Sequence, residues 1–276
     1  MDDLEQQKPG VEAPSDDGDD AAQGTDSAGS GLGSAAPGEG SDAAGEGTDA
    51  AGDPFADDPT YRAAVVDLLG ALAYGELTAF SRLAADAEMA PNQPAKAALA
   101  RVAVAEFHHY EALTSRLTEM GADPDVAMEP FLAPIDEFHD RTRPSGWLEG
   151  LVKAYVGDGI ATDFYREISA YVDPWTQTLV RSVLEDVGQA EFAVKAVREA
   201  IEADPRVAGR LALWGRRLVG EALSQSQRVA VERDALASLL VGGINRPGAD
   251  LAEMGRMFAR LTDEHIRRMG QLGLSA

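Results

Sequence analysis

The sequence predicts an all-α protein: a four-helix bundle with one long crossover and two additional helices at its C-terminal end. Three observations lead there. Apolar residues recur at helical spacing through most of the chain after residue 57. Asp-Pro and Asn-x-Pro signals open several of these stretches, as at Asp58-Pro59, Asn92 to Pro94 and Asp173-Pro174. No window shows period-two alternation bounded by hairpin turns.

The start of the chain stands apart. Residues 1–60 hold 16 acidic side chains against the single Lys8 and are dominated by Gly, Ala, Ser and Asp. Such a composition buries too little apolar surface to offset its ordering entropy, so residues 1–56 are expected to form a disordered acidic tail. Most of the net charge of −23 resides there. Cysteine is absent, which excludes disulfides, thiolate metal sites and cysteine nucleophiles. Any metal must be held by Asp, Glu, His or weaker oxygen donors. There is no basic start followed by an apolar run and no stretch near about 18 consecutive apolar residues. A cytoplasmic protein without a membrane partner is expected.

Taken in order, the first predicted helix covers 61–86, with Leu69, Leu72, Glu76, Phe80 and Leu83 along one side. One carboxylate therefore sits within an apolar stripe. The second helix starts at Asn92 and Pro94 and runs to about Met120, where Gly121 is placed to stop it. Its apolar residues Leu99, Val102, Leu113 and Leu117 keep Glu106 and His109, an i, i+3 pair, facing inward. Residues 122–145, with Pro124, Pro130, Pro134 and Pro144, read as a long connection holding at most a short helix. Ser145 is placed to cap a third helix over 146–172, with Leu151, Tyr155, Asp158, Thr162 and Tyr165 on one side. A fourth covers 174–203 and carries Leu179, Val183, Asp186, Ala190, Ala193 and Val197 in register. Asp204-Pro205 opens a fifth to about Leu240, the GGINRPG run breaks it, and Asp250 with Glu253 resembles a capping box for a sixth to about Leu272.

A helix hairpin followed by a long crossover is the connectivity of ferritin-like bundles. The expected organisation is a ferritin-like bundle over 57–203, with two helices over 204–276 packed on it. The inward acids also form a pattern: Glu76, then Glu106 with His109, then Asp158, then Asp186 with Gln189. The chain presents one helix-hairpin unit twice, a lone acid on the first helix and an acid-x-x-polar pair on the second. Bundles build dinuclear metal sites in this way, and buried carboxylates demand such partners.

On the segments GELTAFSRL, AEFHHYEAL, VGDGIATDF and LEDVGQAEF, the chain resembles the ferritin-like di-iron carboxylate superfamily, and within it the tRNA hydroxylases of the MiaE type and their actinobacterial relatives. The resemblance implies two irons, with manganese as an alternative. Glu76 would be a terminal ligand and Glu106 a bridging one, with His109 completing the first side; Asp158 and Asp186 would serve the second. The family's second histidine falls on Gln189, whose neutral amide oxygen is a weaker ligand than imidazole. The implied activity is oxygen-dependent hydroxylation, with tRNA as substrate and an external electron donor; a homodimer is also an expectation. No catalytic side chain beyond the metal ligands is singled out. A scaffold or interaction protein with a degenerate or mononuclear site is the rival reading.

Competing residues stay in view. Asp163 competes with Asp158 but lies on another face beside Glu167, and Glu185 and Glu191 compete with Asp186. His108 points away from Glu106 and His265 is expected on the surface; His139 is assigned no role. Residues 205–276 carry 11 Arg against 7 acids. Interspersed with carboxylates on helix exteriors, these arginines are expected to form a solvated surface, which argues mildly against RNA.

Overall fold

The structure, a computed structural model, describes residues 58–185, 189–242 and 248–276. Among them it forms helices α1 (Pro59–Asp86), α2 (Gln93–Glu119), α3 (Pro124–Arg141), α4 (Trp147–Val152), α5 (Asp158–Ser169), α6 (Pro174–Val183), α7 (Gln189–Ala203), α8 (Arg206–Glu232), α9 (Asp234–Val241) and α10 (Leu251–Gln271). A π-helical turn, Lys153–Gly157, joins α4 to α5 without a break.

The caps do what the sequence asks of them. Asp58 accepts from the amides of Thr60 and Tyr61 ahead of Pro59, Asn92 accepts from Ala95, and Asp250 accepts from Glu253, each satisfying amides that the first turn leaves unpaired. Gly121 takes φ +70°, the left-handed conformation that ends α2.

Four expectations are corrected, the last of them the cap at Ser145. The proline-rich stretch is not mainly a connection but the 18-residue helix α3, with Pro130 and Pro134 inside it. Asp123 caps it ahead of Pro124, and Phe131 and Met128 anchor it in the core. Burial of this apolar face outweighs the cost of two interior prolines. It lies against α1 closely enough that a side chain at Gly70 would meet the Ala127 carbonyl at 2.2 Å. The fourth helix is interrupted: α6 ends at Val183 and α7 begins at Gln189. The fifth is divided at Arg233, which leaves helical geometry (φ −124°, ψ 79°). Its guanidinium grips buried Asp67 of α1 through two bonds of 3.0 and 2.5 Å, an interaction that a straight helix would not serve.

Helix α1 organises the core. It packs along α2 and also against α3 and α9, burying Leu68, Leu69 and Leu72 among Leu113, Leu117, Phe131 and Ile168. By length and composition it could cross a membrane, but 61% of its most apolar window is buried within the protein, as befits a core helix. A second cluster, with Leu151, Val156, Leu211, Leu218 and Met269, joins α4 and its π-helical turn to α7, α8 and α10. Ser145 does not cap α4; its amide and hydroxyl instead donate to Glu149.

Candidate metal centre

Three of the six residues that the sequence singles out converge. Glu76 comes from the middle of α1, and Glu106 with His109 from adjacent turns of α2. Their donor atoms all lie within 4.8 Å of one another. His109 Nδ1 stands 3.4 Å from Glu106 Oε2 and 3.5 Å from Glu76 Oε2, yet it is buried without an aligned hydrogen bond. Both distances are long for a direct hydrogen bond, and the orphaned nitrogen facing two carboxylates is compatible with a shared cation.

Electrostatics agree. Glu106 is only 6% exposed. Burial, the hydrogen bond it shares with Glu106, and the charges of Glu106 and Asp158 together push the Glu76 carboxyl well above its ordinary range. Burial likewise raises Glu106, but the facing His109 and the bond from Glu76 outweigh it and hold Glu106 below its ordinary range. One proton shared between two acids is the usual settlement where a cation would otherwise neutralise them.

Asp158 follows directly after the π-helical turn, exposed to the pockets that Glu76 and Glu106 also line. Turns of this kind, with their extra residue per turn, recur at functional sites. Asp186 lies outside the described residues; Gln189 begins α7, and its side chain lies outside them too. Glu191 and His108 are exposed, whereas His265, expected on the surface, is half-buried with Nδ1 unpartnered.

Two features of the site escape a reading by pattern. Asp163 is buried because Arg268 of α10, itself buried, pairs with it, while the more exposed Arg166 lies at 3.3 Å. This pair ties α10 to α5 one turn beyond Asp158. It needs Gly159, where a Cβ would fall 2.3 Å from Arg268 Nε. The second feature is a mostly apolar cavity of about 180 Å3 behind the carboxylates, with Arg82, Asp86, His139 and Lys153 on its wall beside Ala79, Phe138 and Ala161. Burial pushes Lys153 down to about 8, opposed by Asp86, and burial with the Lys153 charge holds His139 neutral, down to about 3. The phenol of Tyr165, raised by burial, closes the same cavity.

A helical bundle with a carboxylate–histidine group between its helices is the arrangement of the ferritin-like carboxylate proteins, and this defines the class. The family described as ferritin-like domain, actinomycetes, matches residues 59–243, and the chain belongs to it. No curated protein sequence matches the chain.

Proposed function

We propose that this protein is a metal-dependent hydroxylase of the di-iron type. The observation that carries the reading is the convergence of Glu76, Glu106 and His109 on one point, with an unpartnered buried nitrogen facing two carboxylates. These three residues would hold the first metal, and Asp158 with Asp186 and Gln189 the second. Hard carboxylates with one imidazole suit iron or manganese. When bound, the metal supplies redox chemistry: dioxygen, two protons and two electrons from an external donor give one oxygen atom to a C–H bond and one to water. The chain's own part is to hold the carboxylates, exclude water and place the substrate. Phe138, Ala161 and Tyr165 line a mostly apolar chamber directly behind Glu76 and Glu106.

The resemblance to the tRNA hydroxylases supports the reaction more than the substrate. The arginines that would meet phosphates are engaged: Arg228 with Glu137 and Glu232, Arg256 with Glu253, Arg260 with Glu167, Arg267 with Glu264. A small organic substrate fits better. A second reading, a ferritin-like protein with one metal that works through protein contacts, is favoured by the neutral amide at Gln189.

Elemental analysis of protein from iron-replete cells, followed by anaerobic reconstitution with ferrous iron, separates the two. Two equivalents with oxygen uptake on aeration support the hydroxylase. One equivalent without uptake supports the second reading, and no metal in either preparation overturns both.

A further inference from the structure

The cavity behind the carboxylates has a basic wall that metal chemistry does not use. We propose that this cavity seats a small amphipathic organic anion, its head against Lys153, Arg82 and His139 and its apolar body directed toward Glu76 and Glu106. Only the idea that this anion is a substrate rests on the hydroxylase reading; the binding does not.

Lys153 is 8% exposed. Its ammonium has three donors, and its hydrogen bond is to the Thr142 carbonyl at 2.8 Å. Among the described residues no carboxylate oxygen lies within 4.0 Å of it; the Phe138 ring is 5.5 Å away, and Asp86 and Asp140 act on it only from a longer distance. A buried cation without an anion in contact is costly. His139 adds a buried Nδ1 with no hydrogen-bond partner. Arg82 lines the same wall and Asp86 is the carboxylate there; Asp140 also acts on Lys153 but is paired with Arg143, so Lys153 and Arg82 share the Asp86 charge. The cavity is thus short of a negative charge at this wall and of nothing along its apolar length.

Dimensions set the size of the ligand. Arg82 follows Glu76 by six residues on α1, which at about 1.5 Å per residue puts the basic wall about 9 Å along the helix from the acids. Ala79 lies between them on α1, and Leu83, Phe138 and Ala161 add apolar surface to the cavity. Ile135, Phe138, Gly157, Ala161 and Tyr165 also line a neighbouring apolar cavity of about 190 Å3, room for a body longer than the wall-to-acid distance. A carboxylate on a medium-length hydrocarbon chain matches this charge, polarity and length.

The test is calorimetric titration of the metal-free, full-length protein with octanoate, octan-1-ol and octylammonium. Octanoate should bind saturably at one site, octan-1-ol about tenfold more weakly or worse, and octylammonium not at all. Lys153→Met should weaken octanoate about tenfold or more, the loss of one charge-assisted hydrogen bond, and leave octan-1-ol unchanged. Ala161→Phe should abolish binding of both. Equal affinity for octanoate and octan-1-ol, no octanoate binding, or a Lys153→Met protein that binds octanoate as wild type does would overturn the proposal. If Lys153→Met does not fold by circular dichroism, Arg82→Ala gives the same discrimination with a smaller loss. Octanoate binding by a protein that takes up no metal sinks the hydroxylase reading and spares this one; metal uptake without octanoate binding does the reverse.

Discussion

Replacing Lys153 by Met should make the ligand-free protein more stable at neutral pH. The two side chains are alike in length, so the cavity wall keeps its shape while losing a charge. Burial lowers the lysine from 10.5 to about 8. At about 1.4 kcal/mol for each tenfold change in proton affinity, the charge costs the folded state about 3 kcal/mol at pH 7. Against this, Met gives up the bond to the Thr142 carbonyl, worth about 1 kcal/mol. A net gain of about 1–2 kcal/mol follows. The sign with pH is fixed: the unfolded chain binds this proton more tightly, so wild-type stability rises as pH climbs from about 8 toward 10.5. The advantage of Met should shrink over that window and vanish above it. Urea unfolding of both proteins at pH 7 and at pH 10.5, each metal-free, measures the difference. A Lys153→Met protein less stable than wild type by more than about 1 kcal/mol at pH 7 would show that its partners stabilise the ammonium more than burial penalises it, and the reasoning would fail.

Removing one member of the Asp163–Arg268 pair strands the other in the interior. Arg268→Leu or Asp163→Leu should cost about 3–5 kcal/mol, and the double variant clearly less than their sum, in a urea-based double-mutant cycle. Gly70→Ala would force α1 from the Ala127 carbonyl, at a cost of about 1–3 kcal/mol, read as a melting temperature lower by several degrees. Glu76→Gln should stabilise the metal-free protein at pH 7, since its raised carboxyl favours the folded state only in acid. Wild-type stability therefore falls as pH rises above the ordinary carboxylate value, and the variant should lack that slope in unfolding measured from pH 4 to 8.

How much of this was legible depended on whether the signal was local. Asp58, Asn92 and Asp250 announce helix starts because a cap acts on the amides beside it. Glu76, Glu106 and His109 were legible because helical spacing puts each acid on an apolar stripe, where it has no reason to be unless something answers it. Helix α3 was not, since Pro130 and Pro134 disfavour a helix locally and only the burial of Met128 and Phe131 against distant residues reverses that preference. The division at Arg233 has the same origin, a partner 166 residues away on α1. Arg268 reads as one more surface arginine until Asp163 and Gly159 are seen to make room for it. Lys153 lies in a stretch read as regular helix, and nothing in its neighbours marks it as buried.

The π-helical turn at Lys153–Gly157 gives the two walls of the cavity an unusual kind of dependence on each other. In such a turn the helix accommodates a residue that a regular one would not, and each residue of a regular helix turns the chain by about 100°. Lys153 lies on one side of that extra residue and Asp158 on the other. Loss of that one residue would heal the helix and leave Lys153 and Asp158 on nearly the faces they hold now, whereas straightening the turn with all its residues kept would swing Asp158 by roughly 100° away from the space that Lys153 lines. The relation between them is held by the width of the turn rather than by the identity of any one residue in it.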